Sequence, residues 1–311
     1  QIVKALEKAL NNGKKVVVFI EVKARFDELS NIEQIAILKA AGADVHYDVP
    51  GLKVHSKMCL ITRNEPAGKK RYAYLSTGNF NEKTAKVYTD IGLFTADRAI
   101  TSDMKRVFQK LTGNEVEYKF KSLLVAPDHM PDKLCELIDK EIEFAKRGER
   151  AYLNFKMNSL EDQQLIDKLY EASQAGVKID LIVRGICCLK PGFLGLSENI
   201  EVVSIIGQYL EHSRIYVFHQ GGKNLIYVGS ADLMKRNLRH RIEVLFPISD
   251  VRLKRCLLAL LNLQLNDNVN SRIIDEEQLN AFKTSGCHLI NSQEQTFQYL
   301  VKKAQKAELV C

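Results

Sequence analysis

The chain is one pattern of elements written twice, and this restricts its fold more than any other feature. In the first half, Val16–Val22 predicts a buried strand and Asp27–Ala41 a helix. Strands follow at Asp44–Tyr47, through "GLKVHSKMCLIT" (Gly51–Thr62) and at Tyr72–Leu75, before the strand-like "TDIGLFTAD". The second half predicts a helix over Asp132–Arg147, a strand at Ala151–Phe155 and a helix over Asp162–Ala175. Strands at Lys178–Arg184 and Glu201–Ile206 precede "EHSRIYVF", "LIYVGSAD" and "RIEVLFPISD". Strands alternating with helices of this length make α/β units with a parallel or mixed sheet. The local chemistry repeats as well. His55-Ser56-Lys57 is matched by His212-Ser213-Arg214, and "LSTGN" (Leu75–Asn79) by "VGSAD" (Val228–Asp232). Two motifs in the same order, inside matching strands, imply an internal duplication. The polar stretch Leu111–Tyr118 is the expected linker, dividing the chain into units 1–112 and 113–311.

Residues i and i+2 of a strand share a face. His55 with Lys57, and His212 with Arg214, can therefore converge on one pocket if the two sheets pack together. A lone strand histidine is more often a hydrogen-bonded interior or surface residue, and His46, His129, His219, His240 and His288 keep that reading. The matched pair departs from it. A neutral imidazole is a nucleophile toward phosphorus, and a cation beside it stabilises the equatorial oxygens of a phosphoryl group in transfer. A second histidine can position a phosphate or supply a proton. The small residues of "STGN" and "GSAD" let backbone amides approach phosphate.

Composition agrees. A net charge of +7 and a pI near 8.9 favour an anionic partner. Tryptophan is absent and no interleaving of basic and aromatic residues suggests a nucleic-acid reader. Seven dispersed cysteines without CxxC spacing suggest reduced thiols rather than a disulfide framework or a zinc site. No apolar run approaches the ~20 residues of a membrane span. The opening "QIVKALEKALNNGKK" reads as an amphipathic helix with no methionine before it, as expected of a piece of a longer protein.

The H-x-K pattern and its duplication resemble the phospholipase D superfamily. That family's motif expects an acidic residue five positions after the lysine; here Thr62 stands there, and the second copy has Arg214 for lysine and His219 at the matching place. These departures weigh against a phosphodiesterase. A longer resemblance runs through "ARFDE" (Ala24–Glu28), "PGLKVHSK", "STGNFNEKTAKVYTDIGLFTAD", "LIVRGICCL", "YLEHSRIYVF" and "GSADLMKRNLRHRIEVLFPI". These blocks are similar, in order, to the C-terminal half of the bacterial polyphosphate kinases. The resemblance implies two tandem phospholipase-D-like α/β domains with mixed sheets, acting in reversible transfer of the ATP γ-phosphate to inorganic polyphosphate through a phosphohistidine. It implies His55 as the phosphorylated residue, Tyr88, Arg184 and His212 as ATP contacts, and Arg25 on the phosphate side of a Mg²⁺ site. Lys57 and Arg214 complete the expected phosphate pocket. ATP, ADP and polyphosphate are the implied partners, nucleic acid is not expected, and the resemblance leaves room for a full-length homo-oligomer that is cytoplasmic or membrane-peripheral. The basic stretch Leu233–Arg241 reads as a helix with a solvated face or as the wall of a polymer route. The segment after about Asn266 carries no chemical signal. The alternatives are a phospholipase-D-type phosphodiesterase and a catalytically silent polyanion-binding fragment.

Overall fold

The computed structural model describes residues 1–22, 28–47, 49–113, 119–284, 286 and 288–308. In chain order the first half contains α1 (Ile2–Asn11), β1 (Val17–Phe19), α2 (Glu28–Ala40), β2 (Asp44–His46), β3 (Lys53–Val54), β4 (Lys57–Glu65), β5 (Gly68–Ser76), β6 (Tyr88–Thr89), β7 (Gly92–Thr95) and α3 (Arg98–Leu111). The second contains β8 (Leu124–Ala126), α4 (Met130–Lys146), β9 (Tyr152–Met157), α5 (Gln163–Gln174), β10 (Lys178–Val183), β11 (Ile200–Ile205), β12 (Leu210–Glu211), β13 (Arg214–Phe218) and β14 (Leu225–Gly229). It ends with α6 (Lys235–Arg239), β15 (Arg241–Ile248), α7 (Val251–Leu265), β16 (Ser271–Ile274) and α8 (Ser292–Glu308).

The repeat seen in the sequence is a repeat in space. Strands β9 and β10 pair in parallel as β1 and β2 do, and the antiparallel set β13-β14-β15 matches β4-β5-β7. Registers agree residue for residue: Lys57 lies opposite Ser76, and Arg214 opposite Gly229. Each closing helix starts in the same way. Asp97 accepts from the backbone N–H groups of Ala99 and Ile100, and Asp250 from those of Arg252 and Leu253, so both α3 and α7 are N-capped by an aspartate. The expected strand and helix pattern holds with ends shifted by a few residues, except at the two motifs. The strand expected through Gly51–Thr62 is broken at His55-Ser56 into β3, which pairs with β15, and β4, which pairs with β5, and "EHSRIYVF" is broken at His212-Ser213 into β12 and β13. The Leu233–Arg241 stretch differs: α6 covers five residues, and Asn237 and Leu238 are buried in it. Residues 114–118 of the expected linker lie outside the described residues.

The second half builds the large sheet, in the order β16-β11-β10-β9-β13-β14-β15-β3, with β8 also on β15. One face packs on α4 and α5 through Leu134, Ile138, Leu165, Leu169 and Phe155. The other packs on α3 and α7 through Met104, Val107, Leu257 and Leu261. Ala73 and Leu75 of β5 join that second layer, so the halves share a core. Two short pairings stitch them further: β3 runs parallel to β15, and β6 parallel to β12. The functional segments hang on these stitches.

Gly229 shows how closely the strands approach beside the second motif. A Cβ there would meet the carbonyl oxygen of Val244 at 2.0 Å and Leu245 Cα at 2.9 Å. Backbone cannot yield as a flexible side chain does, so Gly229→Ala is expected to cost about 3 kcal/mol by overpacking. Urea unfolding followed by circular dichroism checks this; an unchanged midpoint would refute it.

Candidate functional site: a crossed pair of histidine–carboxylate dyads

Strand β3 ends at Val54, and the backbone N–H groups of His55 and Ser56 both donate to the carbonyl of Ile242 on β15 (3.0 and 3.1 Å). This puts the His55 ring against the neighbouring residue of β15: Nδ1 lies 2.9 Å from Glu243 Oε2. The second half returns the arrangement. His212 follows β12, and its Nδ1 lies 2.8 Å from Asp90 Oδ1, just beyond β6. Asp90 and Glu243 occupy equivalent places in the duplicated pattern, each beside the hydroxyl of an equivalent Thr77 or Ser230. Each half thus supplies the carboxylate that orients the other half's histidine.

A carboxylate acceptor fixes the tautomer, since Nδ1 must donate the proton and Nε2 keeps its lone pair. The two rings then differ. Nε2 of His212 accepts from Arg214 Nη1 at 3.2 Å. Among the described residues, His55 Nε2 has no hydrogen-bond partner, and 23% of its side chain is open to solvent. Burial pushes the His55 pKa down to about 4 against the opposing pull of Glu243, with Lys57 and Arg214 adding to the fall. The ring is a neutral base at physiological pH. His212 is also lowered, first by burial and then by Arg214, against Asp90. Burial alone would raise Asp90 and Glu243, but His212, Thr77 and Arg214 around the first, and His55, Lys57 and Ser230 around the second, together hold both below the usual carboxylate range.

The cations differ in the same way. Arg214 is buried and fixed by Asp232, through Nε at 3.2 Å and Nη2 at 3.0 Å, while Nη1 also donates to the His212 carbonyl (2.6 Å). Lys57, its counterpart, is buried too, and its Nζ donates to the His55 carbonyl. Asn79 stands where Asp232 stands in the repeat, and among the described residues no carboxylate is within ion-pair distance of Lys57. Burial lowers its pKa to about 7, with Glu243 opposing and Arg214 and Arg241 contributing. An incoming anion restores the full charge of such a lysine.

Tyr88 and Arg184 fall together. The Tyr88 ring lies 4.9 Å from that of His212, and both Tyr88 and Arg184 line a pocket of about 380 Å³ with Ile206, Gly207 and Tyr209. Arg184 is anchored through Nε to Asn158 Oδ1 (3.1 Å) and the Glu211 carbonyl (2.6 Å). Its pKa is lowered by burial and by nearby Arg214. His55, Lys57, His212 and Arg214 thus meet in one centre, and Tyr88 and Arg184 adjoin it. Arg25 lies outside the described residues.

Adjacency along the chain does not make Glu211 the partner of His212. Glu211 faces the opposite side, accepting from Lys156 (2.6 Å), Gln264 (3.0 Å) and Gln293 (2.8 Å); Asp90 is the carboxylate at His212, and the ring favours the neutral form. The segment after Asn266 is also not silent. Gln293 of α8 holds Glu211 and both backbone groups of Tyr209, so the tail braces the floor of the pocket. Sequence reasoning missed Asp90 and Glu243 as site residues: "TDIGLF" and "RIEVLF" each carry a carboxylate, but one position out of step when aligned by their letters, and only the strand register brings the two into equivalence.

The described residues offer no ready-made cage for a metal ion, and Arg25 of the expected Mg²⁺ site lies outside them. No group of three or more His, Cys, Asp or Glu among the described residues could hold a metal, and Asp90, Asp232 and Glu243 each already engage a histidine or an arginine.

Comparison with known proteins now decides the family. The model for polyphosphate kinase C-terminal domain 1 matches residues 1–117, and that for C-terminal domain 2 matches residues 123–293. The chain belongs to the polyphosphate kinase family. It is 46% identical to polyphosphate kinase 1 of Chlorobaculum tepidum over 98% of its length and 43% of that protein. It is 47% identical to polyphosphate kinase of Exiguobacterium sibiricum over 94% of its length and 41% of that protein. The crystal structure of polyphosphate kinase from Porphyromonas gingivalis superposes with a TM-score of 0.91 at 45% identity, covering 98% of this chain and 47% of that one. The chain spans less than half the length of these relatives. Phosphatidylserine synthase of Haemophilus influenzae shares the fold alone, at 11% identity and a TM-score of 0.51 over 98% of this chain and 92% of that one. The α/β class with mixed sheets expected from the sequence stands. Among the described residues no helix is long and apolar enough to cross a membrane.

Proposed function

We propose that this chain is the catalytic region of a polyphosphate kinase, formed by units 1–112 and 113–311, and that His55 carries the phosphoryl group. The observation that carries the reading is the unequal pair of imidazoles: His55 is neutral, oriented through Nδ1 and open at Nε2, whereas Nε2 of His212 is occupied by Arg214. In the forward direction, Nε2 of His55 attacks the γ-phosphorus of ATP, the bond from that phosphorus to the β–γ bridging oxygen breaks, and ADP leaves with the electron pair. Glu243 faces the positive charge that develops on the ring, as the aspartate of a hydrolytic triad does. A terminal oxygen of polyphosphate then attacks the same phosphorus, the P–N bond breaks, and His55 is restored. Lys57, Arg214 and His212 face the equatorial oxygens. Mg²⁺ enters with the triphosphate as part of the substrate, which needs few protein ligands. ATP, ADP and polyphosphate are the partners in this reading.

The test uses full-length enzyme with γ-labelled ATP and Mg²⁺. Acid-labile, base-stable label on His55 is expected; an unlabelled protein that instead hydrolyses a phosphodiester such as bis(p-nitrophenyl) phosphate would favour a phospholipase-D-type reaction. The depressed pKa sets a sign for pH. Protonation removes the Nε2 lone pair, so reactivity is lost as pH falls through the folded value. Free-enzyme kcat/KM for phosphoenzyme formation should be highest between about 4 and about 7, falling below that window as His55 is protonated and above it as Lys57 loses its charge. An acid limb centred near 6.5 would contradict an imidazole buried in this way.

Arg184 supplies the nucleotide test. Arg184→Ala should weaken ATP binding by about tenfold to a hundredfold, the range for losing charged hydrogen bonds at a desolvated site. Lys302→Ala, on the exposed face of α8, should change it little. Calorimetric titration with a non-hydrolysable ATP analogue separates the two, and equal effects would mean that overall charge alone matters.

A further inference from the structure

A second cluster of cations lies away from the histidines, in the groove between β5 and α3. Ser102, Lys105, Arg106 and Gln109 recur at i, i+3, i+4 and i+7 on α3, forming one stripe beside the buried Met104 and Val107. Arg71 of β5 faces them across a pocket of about 270 Å³ that these five residues line. Arg71 shares its face of β5 with Ala73 and Leu75, which pack on α3, and carries that face past the end of the core. Pairing of β5 with β7 stops at Ala73 opposite Thr95, while pairing with β4 continues to Gly68 opposite Glu65. Beyond Ala73 the two strands form an arm bearing Arg63, Lys69, Lys70 and Arg71. Its Glu65 is engaged by the Tyr72 hydroxyl at 2.6 Å. Among the described residues neither Arg71 nor Lys105 has a carboxylate within ion-pair distance. Arg106 is held by the buried Asp103 at 2.6 Å, and Asp103 also accepts three backbone N–H groups from Lys121, Ser122 and Leu123. The acid of this cluster is thus consumed inside the fold, and its positive charge faces outward.

We propose that this groove is an accessory polyphosphate-binding site that grips the polymer away from the reacting end. The inference rests on the reading of the chain as a polyphosphate kinase region. Arg71 lies five residues along β5 from Ser76, the partner of Lys57, which places the groove about 17 Å from the histidine centre along the strand. Several cations in a row with hydroxyl and amide donors suit a repeating polyanion. No aromatic ring lines the pocket, so it offers no stacking platform for a base. Holding the chain here raises the effective concentration of its end at His55, as a tethered second contact does.

The experiment compares full-length enzyme with the double variant Arg71→Ala/Lys105→Ala, sparing Arg106 because it holds Asp103. A control, Lys302→Ala/Lys303→Ala, removes the same charge from α8. The inference predicts that affinity for long-chain inorganic polyphosphate drops on the order of tenfold and that the salt dependence of binding becomes shallower by about 1.4 in log–log slope. Affinity for a chain too short to span 17 Å, nucleotide binding and the thermal midpoint should stay at parental values, and the products made should become shorter. Unchanged long-chain affinity, or a loss matched by the α8 control, would overturn the site. Loss of single-stranded nucleic-acid binding with polyphosphate binding intact would assign the groove to another ligand and equally overturn it. Binding is measured on a His55→Ala background as well, so failure of phosphohistidine labelling and failure of the accessory site are read separately.

Discussion

Replacing His55 by alanine in full-length enzyme is expected to abolish acid-labile labelling from ATP and to lower polymer synthesis by at least about 10⁴-fold, the scale on which loss of a nucleophile acts. His212→Ala is expected to slow turnover severely while leaving slow labelling of His55. Symmetry alone does not distinguish the two, because both rings sit in equivalent breaks between strands, His55 between β3 and β4 and His212 between β12 and β13, and both bind a carboxylate through Nδ1. The distinction comes from what meets Nε2. Arg214 can reach His212 because Asp232 fixes its guanidinium, whereas Lys57, lacking such an aspartate, turns its ammonium to the His55 carbonyl. Label retained on His55→Ala and lost from His212→Ala would reverse the assignment. Quantitative phosphoamino-acid analysis after base hydrolysis reads the outcome directly.

The second large effect is expected at Glu243. Glu243→Gln preserves shape but replaces a carboxylate with an amide that can present N–H to His55 Nδ1, favouring the wrong tautomer. It also removes the negative charge facing the developing imidazolium. A loss of about 10³- to 10⁴-fold in the rate of His55 labelling is expected, by analogy with tautomer loss in hydrolytic triads. The equivalent change Asp90→Asn should cost less, on the order of 10²-fold, because His212 is not the phosphorylated ring in this reading. Rapid-quench single-turnover labelling measures both, and equal losses would argue that the two dyads work as one unit. Folding is a separate matter. Glu243 is fully buried and accepts from Asn237 Nδ2 at 2.6 Å, which glutamine can still do through its carbonyl oxygen, so circular dichroism of Glu243→Gln should match the parent.

Much of this was written in the sequence. The duplication followed from strand and helix periods and from two short motifs, because side-chain spacing along a strand is a local property. Spacing also grouped His55 with Lys57 and His212 with Arg214, although each histidine lies in a break just before the strand that carries its cation, and the residue chemistry pointed to phosphate. The partners of those residues were another matter. Glu243 is 188 positions from His55, and Asp90 is 122 positions from His212. Their crossed pairing depends on β3 joining β15 and β6 joining β12, contacts that no local pattern announces. The side to which Glu211 turned, and the brace supplied by Gln293 of α8, depended likewise on which strand faces met in the shared core. Sequence determined which groups were present and in what order. The tertiary structure decided which carboxylate met which imidazole, and hence which ring kept a free nitrogen, because burial and long-range pairing set the protonation and geometry of a group that sequence can only name.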